Sequence, residues 1–485
     1  MGRRLAELLP WVSCPPLEVG GLCDASTAVQ PGDVFLALGG TRRHGVEFVW
    51  EAQARGAVAV VYDPAEVGLA GGLSIPAVAV PRLRERLGEI AARFYDHPSR
   101  EMEVIGVTGT NGKTSCSLFL AQALEGGVIG TLGWGLLPAL QPTAHTTAPA
   151  LETQRRLAAL RAQGIGTVAM EVSSHALDQA RVDGIDFALA VWTNLSRDHL
   201  DYHGSMEAYL KAKLRLFAWP TLKASVLNLD DPVWPHFHQA TAAGVTVVGY
   251  GRGKHEAVPF PYVAATEVRY CIDGIRFDAV WGKKRMAVRV PLFGECNLAN
   301  ALAVLATLLV RGEELGEAVE RLGALDPVPG RMECFRLPER PLVVVDYAHT
   351  PAALELALGS LRRHSRGRLW VVFGCGGERD RGKRPLMGGI AERLADRVIL
   401  TDDNPRGEPG EQIIADICAG MKSTPLIIRD RREAIAAALT AAKAEDVVLV
   451  AGKGHEDYQE IQGVRRPFSD RVVVAELLQE VKVCA

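Results

Sequence analysis

Short apolar runs alternate along this chain with stretches in which apolar positions recur at three- and four-residue spacing, the pattern of strands alternating with helices. The runs Asp33–Leu38, Ala57–Tyr62 and Ala77–Val80 read as strands, and Leu83–Tyr95 reads as a helix ended by Asp96-His97-Pro98. Proline just past a periodic stretch is a stop signal, which places a boundary at 99–103. Further on, strands are expected at Thr167–Val172, Ala188–Thr193, Ala224–Leu229 and Thr246–Val248, and helices at Leu151–Gln163, Met206–Phe217 and Asn297–Val310. The turn-rich Asp326-Pro327-Val328-Pro329-Gly330 reads as a second linker. Beyond it lie strand candidates Leu342–Asp346, Leu369–Phe373, Arg397–Thr401, Pro425–Ile428 and Val447–Val450. The expectation is an α/β protein of three domains. A small N-terminal α/β domain spans 1–101, a central mononucleotide-binding domain with a mostly parallel sheet spans 102–327, and a Rossmann-like domain spans 328–485.

Composition narrows the class. At 485 residues the chain exceeds one hydrophobic core, and 48% hydrophobic with 23% charged residues suits a globular protein. A net charge of −3 argues against a surface that coats nucleic acid, and no apolar run has the length of a membrane helix. Nine cysteines form no Cys-x-x-Cys pair, so neither structural zinc nor a disulfide framework is expected. A cytoplasmic, reduced protein that binds neither nucleic acid nor membrane is the resulting expectation; separately, a monomer is expected.

The first chemistry appears at Gly106-Val107-Thr108-Gly109-Thr110-Asn111-Gly112-Lys113-Thr114, between an apolar approach and a helix-like run. Strand, glycine turn and helix N-terminus together bind anions, because backbone N–H groups converge there and the helix dipole favours negative charge. Lys113 would reach the outer phosphates of a nucleotide, and Thr114 would serve Mg²⁺. The common phosphate loop needs glycine at position 107, where this chain has valine, so the loop is a variant. Two more expected strands end in polar clusters, Glu171-Val172-Ser173-Ser174-His175 and Thr193-Asn194-Leu195-Ser196-Arg197-Asp198-His199-Leu200-Asp201. Ligands of open α/β sheets bind at such ends, and carboxylates there suit Mg²⁺. Each cluster alone could be turn chemistry; with the loop they fit metal-assisted phosphoryl transfer.

These three segments, continued by Pro329-Gly330-Arg331-Met332-Glu333, Asp346-Tyr347-Ala348-His349-Thr350-Pro351, Phe373-Gly374-Cys375-Gly376-Gly377-Glu378-Arg379-Asp380 and Gly452-Lys453-Gly454-His455-Glu456-Asp457-Tyr458-Gln459, resemble the Mur ligases over nearly the whole chain. Those ATP-dependent amide ligases build the peptide stem of bacterial cell-wall precursors. The similarity is strongest to the branch that extends UDP-N-acetylmuramoyl-L-alanyl-D-glutamate by a third amino acid. It implies phosphorylation of the D-glutamyl carboxylate by ATP, attack by an amine, and release of ADP and phosphate.

By that resemblance Lys113, Lys213, His199 and Arg331 are catalytic, and Gly109, Thr110, Asn111, Gly112, Lys113, Thr114, Asn297, Arg331 and Asp346 contact ATP. Thr114, Glu171, His199 and a carbamylated Lys213 hold Mg²⁺. Ser26, Thr146, Thr147, Ser173, Gln179 and Arg181 match the UDP-muramoyl-peptide positions. The N-terminal domain would bind the uridine nucleotide. Lys213 is weighed against Lys211 and Arg215, which make a solvated basic helix face an ordinary alternative. The chain departs from the family pattern at Ala25-Ser26-Thr27, where Asp-Ser-Arg is usual, at Cys296, where phenylalanine is usual, and in a shortened stretch between Lys113 and Gly130.

Asp403-Asn404-Pro405-Arg406 is by itself a turn. In the resembled family it accompanies meso-diaminopimelate, whose distal carboxylate lysine lacks. Arg406 and Arg379 could pair with carboxylates and Glu456 could accept an ammonium, with Asp403, Asn404, Pro405 and Gly452 completing the amino-acid set. A lysine-adding ligase, a folate polyglutamylating relative and a nucleotide switch without ligation are the alternatives. Arg406 speaks against the first two, and Glu171, His199 and Lys213 against the third.

Overall fold

The computed structural model describes residues 2–480 except 41–42, 67, 69–70, 257 and 272. The chain divides into two compact units, 1–249 and 250–485.

Among the described residues the first unit holds a short antiparallel pair, Arg3–Arg4 with Glu18–Val19, and strands of two larger sheets. Gly21–Cys23, Asp33–Ala37, Ala59–Tyr62 and Ala77–Ala79 pair in parallel, in that order. Helix Leu83–Phe94 buries Leu83, Leu87, Ile90 and Ala91, one stripe at helical spacing, against Val34, Leu36 and Val61 of this sheet. In the larger sheet the strand Glu103–Thr108 lies between Thr167–Glu171 and Phe187–Trp192, parallel to both. Gly127–Gly130 and Ala224–Asn228 extend it in parallel on either side. The central strands read as continuous apolar runs because helices cover both faces of such a sheet. Val107 stands level with Glu171 and with Val191. The three strands therefore finish at one edge, and the loops after them share it.

The second unit contains a six-stranded sheet in the order Glu333–Phe335, Leu342–Asp346, Val447–Ala451, Leu369–Phe373, Arg397–Leu400, Leu426–Ile427, parallel except for its first pair. Helices Pro351–Arg362, Lys383–Leu394 and Gly410–Cys418 pack one face, and Arg431–Ala441 and Asp470–Glu480 the other. Pro351 occupies the first turn of its helix, and the Thr350 hydroxyl accepts the Ala353 N–H at 3.3 Å, so this pair caps the helix start. Helix Glu295–Val310 begins ahead of the expected Asn297 and is buried on nearly every side.

The expected elements recur with shifts of a residue or a few at their ends. What the apolar pattern did not announce is the antiparallel meander Tyr262–Cys271, Gly274–Trp281, Lys284–Val290 and the hairpin Tyr458–Ile461, Val464–Pro467. Their outward residues are charged and exposed, as in Lys284–Val290 and Val464–Pro467, and alternation is a weaker signal than an apolar block. Among the described residues no helix is long and apolar enough to cross a membrane.

Candidate functional site

The turn between strand Glu103–Thr108 and helix Lys113–Ala123 is held by glycine chemistry and by its neighbour strand. A methyl group on Gly109 would lie 1.8 Å from the Thr193 hydroxyl, so only glycine fits. Thr110 N donates to the Asn194 carbonyl at 2.8 Å, Asn111 N to Asn194 Oδ1 at 3.0 Å, and the Thr193 hydroxyl to the Asn111 carbonyl at 2.7 Å. The polar strand end at 193–196 is thus a clamp on the phosphate loop. Lys113 folds back over the loop, donating to the carbonyls of Gly109 and Thr110 at 2.8 and 2.9 Å.

Two side chains sit behind the loop. Glu171 is 1% exposed; its Oε2 accepts the Thr114 hydroxyl at 2.9 Å, and its Oε1 accepts Thr131 N at 2.6 Å. Lys213 is also 1% exposed and donates to the same Gly109 carbonyl as Lys113, at 2.8 Å. Burial, then the nearby Lys113 charge, hold its ammonium well below the ordinary lysine range. Lys211 and Arg215, on the same helix and just past it, are exposed. The position expected to be special is therefore the one turned inward.

An open pocket of about 220 Å³ is lined by Lys113, His145, Thr146, Thr147, Ser173, His175, Arg181 and His199. Its wall is assembled around Thr147, whose hydroxyl donates to the Glu171 carbonyl at 2.9 Å and accepts Ser173 N at 3.1 Å, while its carbonyl accepts Arg181 Nη1 at 3.1 Å. Gln179 braces Arg181 through its Oε1, at 2.9 and 2.6 Å. The Thr146 hydroxyl accepts that of Thr131 at 3.0 Å, which links this wall to Glu171. His199, with φ of +52°, starts a short helix and brings its ring to 4.8 Å from that of His175. Ser26 is not a wall of this pocket. It lies in a turn of the first sheet and donates to Glu51 Oε2 at 2.6 Å. His145, His175 and Tyr209, whose hydroxyl is 3.1 Å from that of Thr110, are neighbours that the motif reading passed over. His175 stood inside a quoted segment, but nothing in its type marked it.

In the second unit the Arg331 guanidinium lies 4.5 Å over the Tyr347 ring, and the His455 ring is 5.1 Å from Tyr347. Asp346 Oδ2 accepts Met332 N at 2.8 Å. Burial raises the Asp346 carboxyl above the usual range, opposed by Arg331 and by backbone N–H groups. Burial, then Arg331, lower His455 to about 4. Arg331 Nε and His455 Nδ1 are buried without a protein hydrogen bond among the described residues, which is uncommon in folded proteins. Asn297 is turned inward, donating to the Phe293 carbonyl at 3.0 Å and accepting from Asn300 at 3.2 Å. The adjacent Cys296 thiol is pushed up to about 12 by burial.

The Asp403–Arg406 turn lies beyond strand Arg397–Leu400. Asn404 and Glu456 are joined at 2.9 Å. Gly452, with φ of +115°, leaves the space that Asp403 Oδ2 fills: a methyl there would meet that oxygen at 2.6 Å. Arg406 donates to the Gly377 carbonyl at 2.7 Å and approaches Glu460 Oε2 at 3.8 Å. A methyl on Gly376 would lie 3.0 Å from Arg406 Nη1 and 3.7 Å from Arg379 Cγ, so the two expected arginine side chains pass one glycine. Pro405 is buried, and its carbonyl accepts Glu408 N at 3.0 Å. Buried Arg384, bonded to Glu408 and Asp416, and buried Lys453, bonded to Glu456, also support this region. Neither was expected as a site residue, although Lys453 stood in a quoted motif.

The chain is similar to known proteins over nearly its whole length. Residues 19–95 match the Mur ligase family catalytic domain, 107–308 the Mur ligase middle domain, and 330–454 the Mur ligase glutamate ligase domain. The UDP-N-acetylmuramoyl-L-alanyl-D-glutamate–2,6-diaminopimelate ligase of Alkalilimnicola ehrlichii is 50% identical, covering 98% of this chain and 99% of its own. That of Xylella fastidiosa is 49% identical, covering 98% and 97%. A solved structure of a ligase of the same name is 39% identical, with a TM-score of 0.75 over 99% of this chain and 100% of that one.

Proposed function

The chain belongs to the Mur ligase family, and from that premise we propose that it joins meso-diaminopimelate to UDP-N-acetylmuramoyl-L-alanyl-D-glutamate with cleavage of ATP to ADP and phosphate. One observation carries the reading: a phosphate-loop lysine shares a pocket with hydroxyl groups and a guanidinium suited to a carboxylate substrate. In this assignment 1–101 binds the uridine nucleotide, 102–327 binds ATP and 328–485 binds the amino acid.

A carboxylate is a poor electrophile until one oxygen belongs to a good leaving group. Arg181, Thr146, Thr147 and Ser173 hold the D-glutamyl carboxylate beside Lys113. A carboxylate oxygen attacks the γ-phosphorus, and the bond to the bridging oxygen breaks to release ADP. Lys113 leaves the loop carbonyls to meet charge on the transferred phosphoryl oxygens, a task that preorganised cations do well. The amine nitrogen of diaminopimelate then attacks the acyl carbon. The nitrogen loses a proton, and the C–O bond to phosphate breaks.

Asn297, Asp346 and Arg331 serve the nucleotide, with the Arg331 guanidinium the cationic member of that set. Gly109, Thr110, Asn111 and Gly112 present backbone N–H groups to its phosphates. Thr114 and buried Glu171 form an oxygen donor set that fits Mg²⁺, with His199 and a carbamylated Lys213 as further ligands. The ion would neutralise phosphate charge and hold it in line. Lys213 suits carbamylation because a buried amine kept neutral can add CO₂, and the product is anionic.

Diaminopimelate is favoured over lysine because Arg379, Arg406 and Asn404 supply donors for carboxylates, while Glu456 accepts an ammonium. A site built for such a group rejects an analogue lacking it by as much as about 10⁴-fold. The test is purified protein with ATP, Mg²⁺ and the muramoyl dipeptide across an amino-acid panel. ADP and phosphate should form only with dipeptide and diaminopimelate together. Equal use of lysine overturns the specificity, and steady turnover without either substrate overturns the ligase.

A further inference from the structure

Lys453 has no exposed surface, yet the reaction as described gives it nothing to do. Its ammonium donates to Glu456 Oε2 at 3.0 Å and to Asn404 Oδ1 at 3.1 Å. Asn404 Nδ2 donates to the same Glu456 oxygen at 2.9 Å, and Glu460 N donates to Asn404 Oδ1 at 2.9 Å. An ammonium and a backbone N–H are donors only, so the Asn404 atom that meets both must be its carbonyl oxygen. The amide is thereby locked with its nitrogen turned the other way. That nitrogen carries a second hydrogen with no protein acceptor among the described residues. The Glu456 carboxylate uses Oε2 for both of its side-chain bonds and leaves Oε1 without one among the described residues. The cluster therefore keeps one N–H donor and one carboxylate oxygen unspent. Those are the complements of a carboxylate and an ammonium, the pair that an amino-acid end group carries.

We propose that Lys453 is the positioning residue that locks Asn404 and Glu456 in the orientation selecting an amino acid with a carboxylate and an ammonium at its distal end. Without the ammonium, Glu456 loses its ionic partner and Asn404 loses one of two donors that hold its oxygen inward. A rotated amide presents an oxygen where the carboxylate needs a hydrogen, and discrimination against lysine falls. Lys453 touches no reacting atom, so its effect belongs in amino-acid KM and selectivity, not in nucleotide binding.

This inference rests on the amino-acid assignment made under Proposed function. The experiment compares wild type, Lys453→Met and Lys453→Gln, measuring KM and kcat for diaminopimelate, lysine, ATP and the muramoyl dipeptide, with Tm as the check on folding. Methionine keeps most of the length of the side chain and removes its N–H donors. The expected result is a rise of about 30-fold in KM for diaminopimelate, a loss of about tenfold or more in its preference over lysine, and KM for ATP and dipeptide within about twofold. Glutamine keeps donors for both oxygens without the charge, and should bring KM for diaminopimelate back to within about fivefold of wild type. Unchanged diaminopimelate KM in folded Lys453→Met overturns the proposal. So does a parallel rise in KM for all substrates, or loss of the fold in both variants, since each assigns Lys453 to the scaffold. A wild type that does not ligate diaminopimelate overturns the functional reading and this inference together; a competent wild type with indifferent variants overturns the inference alone.

Discussion

Lys213 and Lys453 are both shut away from solvent, one behind the phosphate loop and the other behind the Asp403–Arg406 turn. Their surroundings differ in kind. Lys453 meets a carboxylate and an amide oxygen, so its charge is compensated where it lies. Lys213 makes one hydrogen bond among the described residues, to a carbonyl that already accepts Lys113. Taking an ammonium out of water costs several kcal/mol unless a counter-charge is present, and a second ammonium nearby adds to the cost. The first environment keeps a lysine as a cation that orders its neighbours. The second favours a neutral amine, available for chemical modification. Residue type and burial are the same in both; the partner decides the role.

The largest effect expected at the phosphate-loop end is that of Lys113→Ala. Loss of the cation from the transferred phosphoryl group should lower kcat/KM by about 10³-fold or more. A half-buried loop side chain contributes little to folding, so Tm should stay within about 3 °C; a circular-dichroism melt beside the assay checks both. Lys213→Met sharpens the contrast between the two lysines. It should cost about 100-fold in activity, and protein equilibrated with ¹³C-labelled CO₂ should show a carbamate resonance in wild type that is absent from the variant. If the resonance survives in Lys213→Met, another amine carries the modification.

At the amino-acid end, Arg406→Ala should raise KM for diaminopimelate about 50-fold, since a charge-assisted pair is lost, and leave KM for ATP within about twofold. Steady-state kinetics with each substrate varied in turn separates the two effects. The remaining effect is on stability and leaves catalysis aside. His455 is lowered to about 4 from an ordinary value of 6.5, so the unfolded chain binds the proton more readily. Its contribution is fully present above about pH 6.5 and is lost as pH falls towards 4, amounting to at most about 3 kcal/mol. Urea unfolding across that window should show a shallower slope in His455→Gln.

The phosphate loop was legible because its chemistry is local: glycines, lysine and threonine lie within one turn, and strand and helix flank it. Strands such as Leu342–Asp346 were legible because burial on both faces demands an unbroken apolar run. The charged meander at 262–290 was not, since a half-exposed strand shares its composition with a loop. Lys213 could be singled out only by its place in a motif, because Lys211 and Arg215 beside it have the same chemistry and only the fold turns one of the three inward. Lys453 and His175 were written inside quoted motifs, but their roles depend on which atoms they meet. Those meetings come from tertiary packing: Lys453 and Asn404 are 49 positions apart in the chain. Arg384, with no exposed surface and bound to Glu408 and Asp416, carried no local signal at all.

The central claim is that the pocket beside Lys113 activates a carboxylate by phosphorylation. Muramoyl dipeptide labelled with ¹⁸O in the D-glutamyl carboxylate tests it directly. Transfer through an acyl phosphate moves one labelled oxygen into the released phosphate, which mass spectrometry of that phosphate should show at one label per turnover. Unlabelled phosphate, or AMP and pyrophosphate in place of ADP and phosphate, would contradict the account.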